Sequence, residues 1–70
     1  MGAKQGGYMI YTIQVKQGIY LTDRLNRTRD LQSCILINDY KTAELYLQDR
    51  RDRVIKLKIR NNIIIIEESL

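Results

Sequence analysis

A chain of 70 residues with one cysteine and no histidine forms one domain at most and cannot close an internal disulfide. Its composition, 44% hydrophobic and 29% charged, is that of a globular protein. These numbers exclude histidine-dependent catalysis and a cysteine–histidine zinc site. The formal charge of +4 favours an anionic partner, although many small domains carry a similar charge for solubility alone.

Domain organisation follows from the glycine content and the lengths of the apolar runs. Residues 1–7 hold three of the four glycines and no apolar run, so we expect a flexible tail there and a single domain over residues 8–70. No stretch predicts a signal peptide or a membrane span. We therefore expect a cytoplasmic protein without a membrane partner.

The predicted domain begins with a β-hairpin. Residues 8–16 are rich in β-branched and aromatic side chains and have an apolar residue at every second position, which is typical of a strand. Gln17-Gly18 predicts a tight turn, because glycine permits the required backbone conformation. Residues 19–22 then return as a short second strand. The polar stretch 23–30 is predicted to be a loop.

A third strand is expected over residues 34–37, a continuous apolar run that ends at Asn38-Asp39. Short apolar runs bounded by turn residues are typical of buried central strands. The alternative is a short helix from Thr28, because the apolar residues that follow it also fall at helical spacing.

One helix is predicted after this strand, with Asn38 or Asp39 as its N-cap. Its apolar stripe has the helical spacing i, i+3 and i+7 and is widened by two further residues: Tyr40, Ala43, Leu47, Leu45 and Tyr46. The pattern predicts about three turns. The helix would end near Arg50-Arg51, where cations complement its dipole.

The C-terminal part predicts a second hairpin. Residues 53–60 alternate strictly between apolar and basic side chains, and Asn61-Asn62 suits a two-residue turn because asparagine tolerates positive φ. The predicted register pairs Arg60 with Ile63, Ile59 with Ile64, Lys58 with Ile65, Leu57 with Ile66 and Lys56 with Glu67. The expected core face consists of Ile55, Leu57, Ile59, Ile64 and Ile66.

These elements predict an α+β fold, a small antiparallel sheet of four to five short strands with one helix packed on one face, in the order β-β-β-α-β-β. The sequence does not favour a catalytic cysteine, because Cys34 stands in an apolar run where its thiolate is disfavoured. No glycine-rich phosphate loop is present, and the carboxylates are scattered. We therefore expect no enzyme, no catalytic residue, no metal site and no cofactor.

A candidate nucleic-acid site lies on the first strand of the C-terminal hairpin. Lys56, Lys58 and Arg60, here called the basic row, recur at period two, so their side chains are spaced by about 6–7 Å on one face. Arg50, Arg51 and Arg53 are predicted to extend the row at its base. The tyrosines offer possible stacking surfaces. An ordinary solvated strand face has the same charge pattern, since lysine also guards against edge pairing.

A candidate interface lies beside the basic row. Ile63 and Ile65 share its face in the predicted register, and two bare isoleucines near a chain end favour a covering partner. The sequence thus predicts a small binding module that contacts nucleic-acid phosphates. The alternative is a protein-interaction or self-assembly module, either a homodimer or an accessory protein bound to a partner, in which the charges serve solubility.

Overall fold

An antiparallel five-stranded sheet with one short helix makes up residues 10–69, the part of the chain described by the structure, a computed structural model. The elements in chain order are β1 (Ile10–Lys16), β2 (Ile19–Leu21), β3 (Arg27–Thr28), a 3₁₀ turn (Leu31–Ser33), α1 (Tyr40–Glu44), β4 (Arg53–Arg60) and β5 (Ile63–Ser69). The expected α+β class is confirmed. The predicted tail and the first two residues of the predicted first strand lie outside the described residues.

The order of strands in the sheet is β3-β2-β1-β4-β5, so β4 returns after the helix to lie beside β1. Three consecutive strands and a fourth that lies beside the first form a Greek key. The antiparallel pairing of β1 with β4 places Ile10 opposite Leu57 and Thr12 opposite Ile55. Because side chains alternate along a strand, this register assigns the residues of both strands to the two faces of the sheet.

Both faces are buried where β1 and β4 pair. The helix face, on which α1 packs, holds a cluster of Tyr11, Ile13, Leu21, Ile35, Ile37, Ala43 and Val54. The opposite face holds a cluster of Ile10, Tyr20, Cys34, Ile55 and Leu57. The successive residues Val54 and Ile55 therefore enter different cores, which makes the start of β4 a strand buried on both sides.

The third strand is not where the sequence predicts it. β3 lies inside the predicted loop and pairs with β2. The N–H of Thr22 donates to the carbonyl of Asn26 at 2.8 Å, which leaves a three-residue loop over 23–25. Leu25 in this loop has φ 65°. Loops of this type usually have glycine at the left-handed position. Because leucine stands there instead, the sequence does not show the usual pattern of a hairpin.

The apolar run predicted as the third strand is extended but is not a strand. Ile37 makes one bridge to Tyr11, with backbone bonds of 2.7 and 2.8 Å, and the Ile35 N–H donates to the Leu21 carbonyl. The segment therefore covers the edge of β1 beyond the end of β2. The alternative, a helix from Thr28, is also wrong, since only the 3₁₀ turn forms there.

The helix is shorter than predicted. α1 begins after its expected N-cap, Asp39, whose carboxylate accepts the Thr42 N–H at 2.9 Å. It ends at Glu44 and not near Arg50. Of the predicted apolar stripe, Ala43 alone is fully buried. The extended segment before α1 contributes Ile35 and Ile37 to the same core. These side chains cover most of that core, so a short helix is enough to cover the rest.

Local side-chain bonds replace the missing turns of the helix. The Asp52 carboxylate accepts the N–H groups of Gln48 at 2.8 Å and of Asp49 at 3.1 Å. Aspartate bonds of this kind compete with the helical pattern and favour a turn. The chain thus turns into β4 while Leu45 remains 83% exposed.

The hairpin of β4 and β5 follows the prediction as far as a bulge. Asn61 and Asn62 have φ of 53° and 65°, and the predicted pairs from Arg60–Ile63 to Leu57–Ile66 are present. The predicted pair of Lys56 with Glu67 is wrong, because the register shifts and places Lys56 opposite Glu68. Glu67 is the extra residue of the bulge.

The predicted core face of the hairpin is buried only near β1. Ile55 and Leu57 are each 1% exposed, whereas Ile59 is 50% and Ile66 is 40% exposed. Ile64 is half-buried and packs against the core of the opposite face, as does Leu31 of the 3₁₀ turn. The short 3₁₀ turn gives this end of the face only partial cover.

Ile55→Ala is expected to lower the free energy of unfolding by about 2–5 kcal/mol, because it empties a fully buried position. Ile59→Ala, on the same face of the same strand but half exposed, should cost about 1 kcal/mol or less. Urea denaturation followed by circular dichroism measures both. If Ile55→Ala does not fold, Ile55→Val, with an expected cost of about 1 kcal/mol, replaces it. Equal losses at the two positions would contradict this assignment of burial.

Leu25→Asn is expected to stabilise the protein by about 0.5–1 kcal/mol, because asparagine tolerates the left-handed backbone that leucine adopts there. Leu25→Val is the matched control and should destabilise by about 1 kcal/mol, because a β-branched side chain is strained at positive φ. Leu25 is exposed, so neither change removes a core side chain. Thermal and urea unfolding compare the two, and a more stable valine variant would refute the backbone argument.

Candidate nucleic-acid interface

The basic row lies on one face of β4. Lys56 lies opposite Tyr11 of β1 and therefore belongs to the helix face. Lys58 and Arg60 follow on the same face toward the hairpin turn. Since alternate residues of a strand are about 6–7 Å apart, the three charges form a line.

The basic row becomes more exposed along its length. Lys56 and Lys58 are half-buried, and Arg60 is exposed. At the start of the strand, Val54 packs in the same core as Ala43 of α1. The helix thus bounds the row at its inner end, and the row is open toward the turn.

Two isoleucines of β5 border the basic row. Ile63 lies opposite Arg60 and Ile65 lies opposite Lys58, so both share the helix face. Ile63 is 53% exposed and Ile65 is half-buried. The surface is therefore a mixed one, with a line of cations beside an apolar border.

The basic row has no ion-pair partner among the side chains that the structure describes. Among residues 10–67, no carboxylate forms an ion pair with Lys56, Lys58 or Arg60. The register partner of Lys56 is Glu68, whose side chain lies outside that range. The register partners of Lys58 and Arg60 are the uncharged Ile65 and Ile63.

The other three predicted cations do not continue the basic row. Arg53 lies opposite Gln14, which places it on the opposite face. Arg50 and Arg51 stand in the turn before β4, where the Asp49 carboxylate accepts the Arg51 N–H at 3.0 Å. By strand geometry, the two ends of β4 are about 23 Å apart. The six predicted phosphate contacts thus form two separate groups.

Arg51 and Arg53 of the second group border a shallow groove at the turn between β1 and β2. The groove is lined by Lys16, Arg51 and Arg53 together with Gln14, Tyr20 and Ile66. Gly18 in this turn has φ 79°, a conformation that glycine adopts without strain. The groove has as many cations as the basic row and lies at the other end of the sheet.

The tyrosines differ in exposure. Tyr11 and Tyr20 are buried, Tyr46 packs partly on the core of the helix face, and Tyr8 lies outside the described residues. Tyr40, the first residue of α1, is 41% exposed. The sequence pattern places Tyr40 in the apolar stripe of the helix. Its exposure is not predicted, because helical spacing alone does not show how far the core extends.

The outer edge of β5 is partly protected against pairing. The Gln32 side chain donates from Nε2 to the Ile64 carbonyl at 2.8 Å and accepts the Ile64 N–H on Oε1 at 2.9 Å. This amide replaces a neighbouring strand at one position, and the bulge at Glu67 interrupts the edge further. A second copy would therefore associate through a face of the hairpin more readily than through its edge.

The environment of Cys34 disfavours its thiolate form. The residue is buried on the opposite face, and burial raises the pKa of its thiol, while the hydroxyl of Thr12 lowers it by less. The thiolate, which is the nucleophile, is therefore disfavoured. The contact between Thr12 and Cys34 does not meet hydrogen-bond geometry, so the buried Thr12 Oγ1 has no such bond among the described residues.

The side chains described, those of residues 10–67, contain no cluster of three or more suited to hold a metal ion. Within the same range, no helix has the length and apolar character needed to cross a membrane. The chain matches no protein-family model, and no curated protein or solved structure is significantly similar to it.

Proposed function

We propose that this protein is a non-enzymatic binding module that contacts nucleic-acid phosphates through the basic row. The observation that carries the proposal is the line of three cations on one face of β4, without ion-pair partners among residues 10–67. Their spacing of about 6–7 Å lets long side chains reach successive phosphates of one strand. Contacts of this kind position a nucleic acid and do not read its sequence.

Arg50, Arg51 and Arg53 have a lesser role in this proposal. They lie at the other end of β4, and Arg53 is on the other face, so they do not contact the same stretch of backbone as Lys58 and Arg60. Their charge adds to the general attraction of an anionic ligand, which is long-ranged and weakened by salt.

The combined variant Lys56→Gln, Lys58→Gln and Arg60→Gln is expected to bind a labelled oligothymidylate more weakly and with less dependence on salt. The slope of log K against log salt should become less negative by about 2, at about 0.7 for each lost phosphate contact. A slope of this size corresponds to an affinity change of about 20-fold between 50 and 200 mM salt. Fluorescence anisotropy over a salt series measures it.

The matched control removes the same charge from the groove, as Lys16→Gln, Arg51→Gln and Arg53→Gln. We expect less than half of the change in slope, because these residues only add to the general attraction. Equal effects of the two triple variants would mean that net charge governs binding and the basic row does not. If the unaltered protein does not bind the oligothymidylate at low salt, the proposed function is refuted.

A second candidate function, association with another copy or with a protein partner, is favoured by the exposed isoleucines of the hairpin. Ile63 on the helix face and Ile59 and Ile66 on the opposite face are 40–53% exposed. Exposed β-branched side chains on both faces of a hairpin suit an apolar contact with another molecule. In this alternative the basic row is the rim of a buried interface.

Ile63→Lys combined with Ile65→Lys separates the two functions, because it places two more cations beside the basic row. If the row binds phosphates, affinity for the oligothymidylate should be kept or increased, with a slope more negative by up to about 1.4. If the isoleucines form a self-association interface, the variant should turn a dimer into a monomer in light scattering. If the unaltered protein is monomeric at high concentration, self-association is excluded.

A further inference from the structure

The exposed ring of Tyr40 is held in place at the inner end of the helix face. Its centroid lies 5.5 Å from that of Tyr11, at an interplanar angle of 77°. Such an edge-to-face contact is a favoured arrangement of aromatic rings. Tyr11 is buried in β1, so the contact fixes the Tyr40 ring while 41% of the residue stays exposed.

The backbone also fixes the position of Tyr40. Ile37, three residues earlier, exchanges two hydrogen bonds with Tyr11, at 2.7 and 2.8 Å. Asp39, immediately before Tyr40, caps α1 through the N–H and the hydroxyl of Thr42, both at 2.9 Å. The ring is therefore pre-positioned on a rigid part of the fold.

Tyr40 is linked to the basic row through Tyr11, which contacts Tyr40 and is the register partner of Lys56. Side chains of directly opposed residues in an antiparallel pair start about 5 Å apart. The aromatic pair of Tyr40 and Tyr11 is therefore at the inner end of the basic row, which continues through Lys58 to Arg60.

We propose that the ligand of the basic row is single-stranded nucleic acid, with an unpaired base stacked on Tyr40. The inference depends on the proposed function and adds the class of nucleic acid. Modules that bind single strands combine a line of cations for the backbone with aromatic rings for the bases. A duplex keeps its bases stacked and paired, so it offers phosphates to the basic row and no base to Tyr40.

The test compares two probes of equal length and charge, an oligothymidylate and an abasic deoxyribose-phosphate oligomer. The abasic oligomer retains the phosphates and lacks the bases. The unaltered protein should bind the oligothymidylate about tenfold more tightly, which is within the range expected for one stacked base. Anisotropy at fixed low salt gives both affinities.

Two variants of Tyr40 assign the difference to its ring. Tyr40→Leu keeps an apolar side chain against Tyr11 and removes the aromatic face, so it should bind both probes alike. Tyr40→Phe keeps the aromatic face and should retain the preference. Urea unfolding of the variants confirms that they are folded under the binding conditions.

The outcomes distinguish this inference from the proposed function. If the unaltered protein binds both probes equally, or if Tyr40→Leu retains the preference, stacking on Tyr40 is overturned while phosphate binding by the basic row stands. If the protein binds neither probe at low salt, both are overturned. A preference lost in Tyr40→Leu and kept in Tyr40→Phe supports the stacking site.

Discussion

The antiparallel pairing of β1 with β4 is the contact on which the rest of the structure depends. It joins two segments that are far apart in the chain, and closing that loop costs conformational entropy. Burial on both sides of the paired strands offsets the cost, with Ile13 on the helix face and Ile55 on the opposite face. Without this pairing, β4 and β5 would form an isolated two-stranded hairpin, which is marginally stable at best in water.

The same pairing decides where the proposed binding surface lies. Where β4 pairs with β1, both of its faces are buried, as the adjacent residues Val54 and Ile55 show. Near the hairpin turn, Ile59 and Arg60 are exposed on the two faces. Charged side chains are tolerated only where the cover ends, because an unpaired buried charge is costly. The basic row and its isoleucine border therefore lie where the buried core ends and solvent exposure begins.

Local signals in the sequence predicted those elements whose stability is local. Alternation and the two asparagines predict the second hairpin, and Asp39 is one of the two residues expected as the cap of the helix. The β2–β3 hairpin was missed because Leu25 stands at a position where glycine is usual. The run over residues 34–37 was misassigned because its apolar content shows burial but does not show which edge it will cover.

Local sequence patterns suffice to predict the α+β class, the two-residue turn, the register of the hairpin up to the bulge, and the period-two spacing of Lys56, Lys58 and Arg60. These depend on side-chain alternation and on the conformational preferences of single residues, which act over a few positions. The three-dimensional fold is needed to show that the helix packs on the face of the basic row, that Arg53 lies on the other face, and that Tyr40 stays exposed. Those relations arise from the pairing of distant strands and from how far the core extends, and no local pattern encodes either.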